Sequence, residues 1–350
     1  MDPASNPSVS GSRPTILDRC RGKAVTVMGL GLFGGGVGAA RSFARRGARV
    51  TVTDLKTADA LAPSIAALAG LPVTLHLGGH DPADFTGAEV LVVSPAVAKT
   101  SPYLAMAREA GAEITAEMTL FVQACPAPLV GVTGSAGKST TTALLGAMLA
   151  RRGPTRVGGN IGKSLLEDLQ AIRTDEIVVL EMSSFQLDDL GPHGVSPHAA
   201  VVTNLSPNHL DRHGSMAAYV DAKKNILRFQ GPDDVAVLNA DDSEVRTWAG
   251  ETAGRVLFYS LEEPVEAGGF VEGGQAVLRL GGREDRVDLA GALRLRGRHN
   301  LANALAAAVA ARALGAPADQ VLAAAAAFEP LPHRLQPVGA VGGVQFIDDS

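Results

Sequence analysis

Cysteine is close to absent: Cys20 and Cys125 are the only two in 350 residues, far apart and in no metal-type spacing. That excludes a disulfide framework and leaves reduced thiols as the expectation. A surplus of basic charge is missing as well, since the formal net charge is -5, which removes the electrostatic footprint of a nucleic-acid binder. No apolar run approaches the length of a membrane span, and the N-terminus lacks the charged-then-apolar layout of a secretory signal. A cytoplasmic chain is therefore expected. What is present is 46% hydrophobic against 19% charged residues, enough for an ample core, in a length that suggests two or three domains. Residues 1–20, which open on a stretch rich in Ser, Pro, Gly and Asn, read as a disordered tail.

The most informative stretch runs Val130-Gly-Val-Thr-Gly-Ser-Ala-Gly-Lys-Ser-Thr140. It reads as strand, glycine-rich loop, helix, because Leu129 to Val132 is β-branched and Ala143, Leu144, Leu145, Met148 and Leu149 recur at helical spacing. Gly134 and Gly137 permit a backbone whose successive N–H groups converge on one anion at a helix N-terminus. Lys138 adds a point charge for the outer phosphates, and the Ser139 or Thr140 hydroxyl is placed to hold magnesium. The strict phosphate-loop pattern fails by one position: Val132 stands where the first glycine belongs, and Gly131 is displaced by one. The plain alternative is a turn with a surface lysine.

Earlier in the chain, Ala24 to Met28 is a strand candidate that opens into Gly29-Leu-Gly31-Leu-Phe-Gly34, followed by a helix over Ala39 to Arg46 and a second strand, Val50 to Thr53, ending at Asp54. That is a βαβ unit with a GxGxxG turn and an acid near the distance expected for a ribose contact. Alone it cannot tell a nicotinamide cofactor from a nucleotide sugar, nor either from an empty scaffold. Strands near Val73 to Leu77 and Val90 to Val93, and helices near Tyr103 to Ala110 and Met118 to Ala124, continue the alternation. Cys125-Pro-Ala-Pro128 then reads as a linker.

Beyond the phosphate loop, Val157-Gly-Gly-Asn-Ile-Gly162 is turn-rich. Glu176 to Leu180 leads into Glu181-Met-Ser-Ser-Phe-Gln-Leu187, so Glu181 lies where a buried strand meets the ligand edge of its sheet and is a candidate magnesium ligand. Its alternative is an exposed loop carboxylate. A strand over Ala199 to Thr203 ends at Asn204. His209, Asp211 and His213 alternate in Asn208-His-Leu-Asp-Arg-His-Gly214, a metal or phosphate site or else a solvated loop. Ser215 is placed to cap a helix through Tyr219, Lys223 and Leu227.

Together, TGxxGKST, the GGNIG turn, the EMSSFQL strand end and HLDRHG followed by Tyr-x-x-Ala-Lys resemble the Mur ligases of peptidoglycan synthesis, over nearly the whole chain. The glycine-rich first unit, Gly158 to Gly162 and Ser183 to Leu187 favour the branch that adds D-glutamate. The fold this resemblance implies is α/β. A Rossmann-like domain at 21–127 binds the UDP substrate, a central P-loop domain at 128–336 binds ATP, and 337–350 supply only the first strand of a third Rossmann-like domain. The implied partners are UDP-N-acetylmuramoyl-L-alanine, ATP, D-glutamate and one or two magnesium ions, in a monomer.

Carried over by position, the resemblance implies that Gly134 to Thr140 bind ATP with Asn300, Asn303, Arg334 and Asp349. On the same resemblance Ser139, Thr140, Glu181, His209 and Lys223 would hold metal, with Lys223 carbamylated by carbon dioxide. Gly31, Leu32 and Phe33 would likewise cradle the diphosphate, while Asp54, Leu55 and Lys56 would flank uridine. Ser94, Asn160, Ser183 and Gln186 serve the rest of the substrate. Three departures weaken the uridine end and the loop: Ala136 replaces a usual asparagine, Phe33 a small hydroxyl residue, and Leu55-Lys56 a polar residue and arginine. The chain also stops inside an Asp-Ser-Lys motif at Ser350, so ligand binding without ligation is a competing expectation. So is a folylpolyglutamate synthetase, which needs no glycine-turn domain. A dehydrogenase would leave Lys138 and the His209 segment unused.

Overall fold

Strands buried on both faces need near-continuous apolar runs, and two in the first half of the chain have them: β1 (Ala24–Met28), and a later Val-Leu-Val-Val strand. The computed structural model describes residues 14–32, 34–161, 164–331 and 336–348. The chain divides into two units, Met1–Ala124 and Cys125–Ser350.

In the first unit β1 is joined by β2 (Arg49–Asp54), β3 (Val73–Leu77), β4 (Val90–Val93) and β5 (Glu113–Thr115). All are parallel, in the order β3-β2-β1-β4-β5. Parallel neighbours require crossovers, which the helices Gly35–Arg45, Pro82–Thr86 and Pro102–Glu109 help to provide. The direction of winding reverses between β1 and β4, so a crevice opens at the carboxyl ends of these strands. The glycine turn that follows β1 sits there.

The second unit is built on a sheet of nine strands: β6 (Leu129–Thr133), β7 (Thr155–Gly159), β8 (Ile177–Glu181), β9 (Ala199–Val202), β10 (Val235–Asn239), β11 (Arg255–Ser260), β12 (Gly268–Glu272), β13 (Gln275–Leu280) and β14 (Arg283–Val287). The order is β14-β13-β12-β11-β10-β9-β6-β8-β7. β6 to β12 are mutually parallel, and β13 and β14 extend the edge as antiparallel strands. The helix Lys138–Ala150 starts directly after the phosphate loop and packs against the helix Arg298–Ala313. Leu144, Leu145, Met148 and Leu149 from the first and Leu305 and Val309 from the second are fully buried in the main core, each such side chain contributing ~1.5–3 kcal/mol. The alanines at 306–308, 310 and 311 are buried too, and their small size lets the two helices approach closely.

Several sequence expectations need correction. Ile16, Leu17 and Cys20, placed in a disordered tail, are buried, because their apolar side chains have core to join. Gly158 and Gly159 belong to β7 rather than to a turn. Where a single opening strand was expected after residue 336, β15 (Gln336–Val341) pairs antiparallel with β16 (Val344–Asp348), turning at Gly342 and Gly343, both with positive φ. Both cysteines are free thiols. Among the described residues no helix is long and apolar enough to cross a membrane.

Candidate active site

In the first unit the glycine turn is tied down from β2. Asp54 is buried; its Oδ2 accepts the Leu30 and Gly31 N–H groups at 2.9 and 3.2 Å, and its Oδ1 accepts Lys56 N–H at 2.9 Å. Asp54, expected beside uridine, thus spends its carboxylate on shaping the turn. The close approach is obligatory: a Cβ on Gly36 would lie 2.4 Å from the carbonyl oxygen of Gly29. Ser94, just past β4, borders the same crevice, its Cβ abutting Gly29. Leu32 and Leu55 project outward, 50% and 69% exposed, and Lys56 is exposed beside them. Replacing Asp54 by alanine leaves three backbone donors without their acceptor. Denaturant unfolding should then show a loss of ~1–3 kcal/mol; unchanged stability would mean that the turn holds itself.

The phosphate loop leaves the end of β6. A Cβ on Gly134 (φ +151°) would meet Thr203 Oγ1 at 1.8 Å, and one on Gly137 (φ +81°) would meet Asn303 Oδ1 at 2.3 Å, so only glycine fits either place. Gly137 caps the helix Lys138–Ala150. Ser139 and Thr140 lie in its first turn, where N–H groups without intrahelical acceptors and the positive end of the helix dipole meet. That is a place for phosphate. Lys138 Nζ donates to the Gly134 and Ser135 carbonyls, both at 3.1 Å.

The loop is clasped by the segment following β9. Ser135 N–H donates to Asn204 O (2.9 Å), Ala136 N–H to Asn204 Oδ1 (2.9 Å), and Asn204 Nδ2 and Thr203 Oγ1 donate to Ala136 O (3.0 and 2.6 Å). Ala136 is exposed, and this clasp acts on its backbone. Ser135 Oγ donates to Ser206 O at 2.9 Å and lies 3.0 Å from the Tyr219 hydroxyl. Asn300 and Asn303, on the helix Arg298–Ala313, are buried and joined to each other (3.4 Å), with Asn300 also donating to Arg296 O (2.8 Å) and the Asn303 amide against Gly137.

Beneath the loop lies Lys223, 1% exposed. It sits on the helix Met216–Lys224, which Ser215 caps by accepting Ala218 N–H at 3.1 Å. Its Nζ donates to Gly134 O (2.8 Å) and Thr133 Oγ1 (3.2 Å) and stands 4.9 Å from the Tyr219 ring centre. Burial above all, with repulsion from Lys138, pulls its amine down to about 7 despite the opposing pull of Glu181. Glu181 ends β8 and is also buried. Its Oε1 accepts Asn160 Nδ2 at 3.0 Å, but its Oε2 is buried with no hydrogen-bond partner.

An unpartnered buried carboxylate oxygen is costly, and beside a phosphate cradle a divalent cation fits it. Among the described residues no three His, Cys, Asp or Glu side chains cluster as a ready metal site. The expected ligand set has only Glu181 and His209 of those kinds, with hydroxyls and a modified lysine completing it. Ser183 and Gln186, expected at substrate, engage each other: Ser183 N–H donates to Gln186 Oε1 (2.9 Å) and Gln186 N–H to Ser183 Oγ (3.3 Å), a capping box for the helix Ser184–Leu190.

His209 is exposed, in a left-handed backbone conformation (φ +53°), and its ring lies 5.2 Å from that of Phe185. His213, one helical turn on, is held below the usual imidazole range by burial, against the pull of Asp188. Phe33, Gly162, Arg334, Asp349 and Ser350 lie outside the described residues. Thr203, Asn204 and Tyr219 were not read as working residues; the one sequence signal for the clasp is an asparagine at the end of a buried strand.

Residues 132–311 match the Mur ligase middle domain, and residues 23–116 match the Mur ligase MurD-like N-terminal domain. The chain belongs to the Mur ligase family. It is 46% identical over 342 residues to a UDP-N-acetylmuramoylalanine–D-glutamate ligase of Roseiflexus sp. (strain RS-1), covering 94% of this chain and 72% of that one. It is 43% identical to the enzyme of the same name from Geobacter metallireducens, with the same two coverages, 94% and 72%. Among solved structures it is similar to the UDP-N-acetylmuramate:L-alanyl-gamma-D-glutamyl-meso-diaminopimelate ligase of Neisseria meningitides (TM-score 0.63, 20% identity, 88% of this chain and 99% of that one). The UDP-N-acetylmuramate-alanine ligase of Thermotoga maritima aligns with a TM-score of 0.57 at 20% identity, over 93% of this chain and 74% of that one. These structures share the Mur ligase fold.

Proposed function

We propose that this Mur ligase joins D-glutamate to UDP-N-acetylmuramoyl-L-alanine with ATP, in peptidoglycan precursor synthesis. The relatives of that name support the substrate, and one feature of the site supports the chemistry: a lysine under the phosphate loop whose amine burial pulls down to about 7, within electrostatic reach of Glu181, whose Oε2 is buried without a hydrogen-bond partner.

A carboxylate is a poor electrophile, so the alanyl carboxylate must first be activated. One of its oxygens attacks the γ-phosphorus of ATP, the bond to ADP breaks, and an acyl phosphate results. The neutral amine of D-glutamate then attacks the acyl carbon; phosphate leaves with the carbonyl-to-oxygen bond, and the nitrogen loses its proton. Phosphoryl transfer demands mainly positioning and charge neutralisation. Lys138 and the first N–H groups of the helix Lys138–Ala150 face the outer phosphates, and Asn300 and Asn303 offer amides on the adenine side. By family resemblance Arg334 and Asp349 also contact ATP.

Glu181, His209, the hydroxyl of Ser139 or Thr140, and Lys223 would hold magnesium, which supplies the remaining positive charge when bound. Lys223 serves there as a carbamate: its neutral amine adds to carbon dioxide, forming an N–C bond and releasing a proton. In the first unit Gly31, Leu32 and Phe33 with Leu55, Lys56 and Ser94 receive the uridine diphosphate end, and in the second Asn160 serves the muramoyl part.

Thermal unfolding with separate ligands tests the assignment, since only a ligand of the native state raises the midpoint. UDP-N-acetylmuramoyl-L-alanine and magnesium ATP should each protect. Protection by NADH or a folate, with no response to either expected ligand, would refute it.

A further inference from the structure

We propose that His213 is a positioning residue that sets the place of the His209 imidazole relative to Glu181. This rests on the reading of His209 as a metal ligand.

His209 is the only non-glycine residue with positive φ among the described residues, and such a backbone persists only where its surroundings impose it. The imposing contacts converge on His213. Its backbone N–H, like that of Arg212, donates to His209 O at 3.0 Å, closing the single turn Leu210–His213. Its ring Nε2 lies 2.9 Å from Ser184 Oγ. The same ring stacks flat on Phe185, with centroids 4.9 Å apart and planes 2° from parallel, and meets the edge of Tyr219 at 5.3 Å. Phe185 in turn carries the Arg212 guanidinium at 4.8 Å and the His209 ring at 5.2 Å.

Ser184 and Phe185 open the helix that the Ser183–Gln186 capping box fixes, just after β8 ends at Glu181. His213 therefore fastens the turn that carries one ligand to the segment that carries the other. Without its ring, the turn keeps its backbone bonds but loses its register on that segment.

The test follows histidine ring signals of the 350-residue chain by NMR, with manganese and a nonhydrolysable ATP analogue. The His209 signal is assigned by its absence in His209→Gln. In the unsubstituted chain manganese should broaden that signal. In His213→Ala the same broadening should need about tenfold more manganese, the usual cost of losing a group that orients a ligand. Affinity for the analogue in EDTA should stay within about twofold, because the phosphate loop is untouched.

His213→Phe, which keeps the stack, and Ser184→Ala, which removes the hydrogen-bond partner, should each fall between. They decide the matter if His213→Ala does not fold. Equal broadening in every folded variant would overturn the positioning role while leaving His209 a ligand. Loss of analogue affinity in step with loss of manganese affinity would also overturn it, marking a general structural prop. No broadening of His209 in the unsubstituted chain would refute the ligand reading itself.

Discussion

Lys138→Ala is expected to weaken ATP binding by roughly ten- to a hundredfold, the equivalent of the ~1.5–3 kcal/mol carried by a hydrogen bond to a charged group. The fold should survive. Lys138 is only half-buried, and its bonds within the loop go to the Gly134 and Ser135 carbonyls, which the Asn204 and Thr203 clasp leaves in place. A linked effect on Lys223 accompanies the loss of charge. Lys138 helps hold the Lys223 amine down, so its removal should let that amine rise and make Lys223 protonated over more of the neutral range. Titration calorimetry with ATP is the check, and undiminished affinity would refute the assignment of the loop.

Lys223→Ala should slow phosphoryl transfer by ~10²–10³-fold, the scale of removing one electrostatic stabiliser from a reacting centre. A small added carboxylate should restore part of the rate. Normal turnover would pass the role to Lys224 or to no lysine. The pH dependence has a definite sign. Burial and Lys138 lower the Lys223 amine to about 7, so its neutral form prevails above that value and its ammonium below. Only the neutral amine adds carbon dioxide, so the carbamate signal from carbon-13 bicarbonate should grow between about pH 6 and pH 8. A signal that falls over that window, or persists in Lys223→Ala, would contradict the site.

The elements that carry the phosphate loop and the glycine turn were legible because their patterns are local. β1, β3 and β4 fall at the residues that apolar runs bounded by breakers indicate, and Ser215 caps its helix as its position before an apolar stretch suggests. Side-chain commitments were not legible. Whether Asp54 faces a ribose or three backbone N–H groups depends on how β2 meets the turn after β1, a matter of register between strands. Ser183 and Gln186 have the spacing of a capping box as much as that of a substrate pair, and the start of the helix at Ser184 decides between them. The burial of Lys223 and the orphan oxygen of Glu181 arise only when β6, β8 and the helix Met216–Lys224 are packed together. The aromatic stack under His209 likewise joins residues far apart in sequence, so alternation of His and Asp hinted at a site without indicating how it is held.

Photoaffinity labelling tests the central claim most directly, because it asks which unit takes which nucleotide. An 8-azido ATP should label the second unit, in peptides around Asn300 and Asn303, and lose that label in Lys138→Ala. A 5-azido uridine form of UDP-N-acetylmuramoyl-L-alanine should label the first unit beside Leu32 and Leu55, with Lys138→Ala making no difference. ATP label in the glycine turn of Gly29 to Gly36, or uridine label confined to the phosphate loop, would contradict the account.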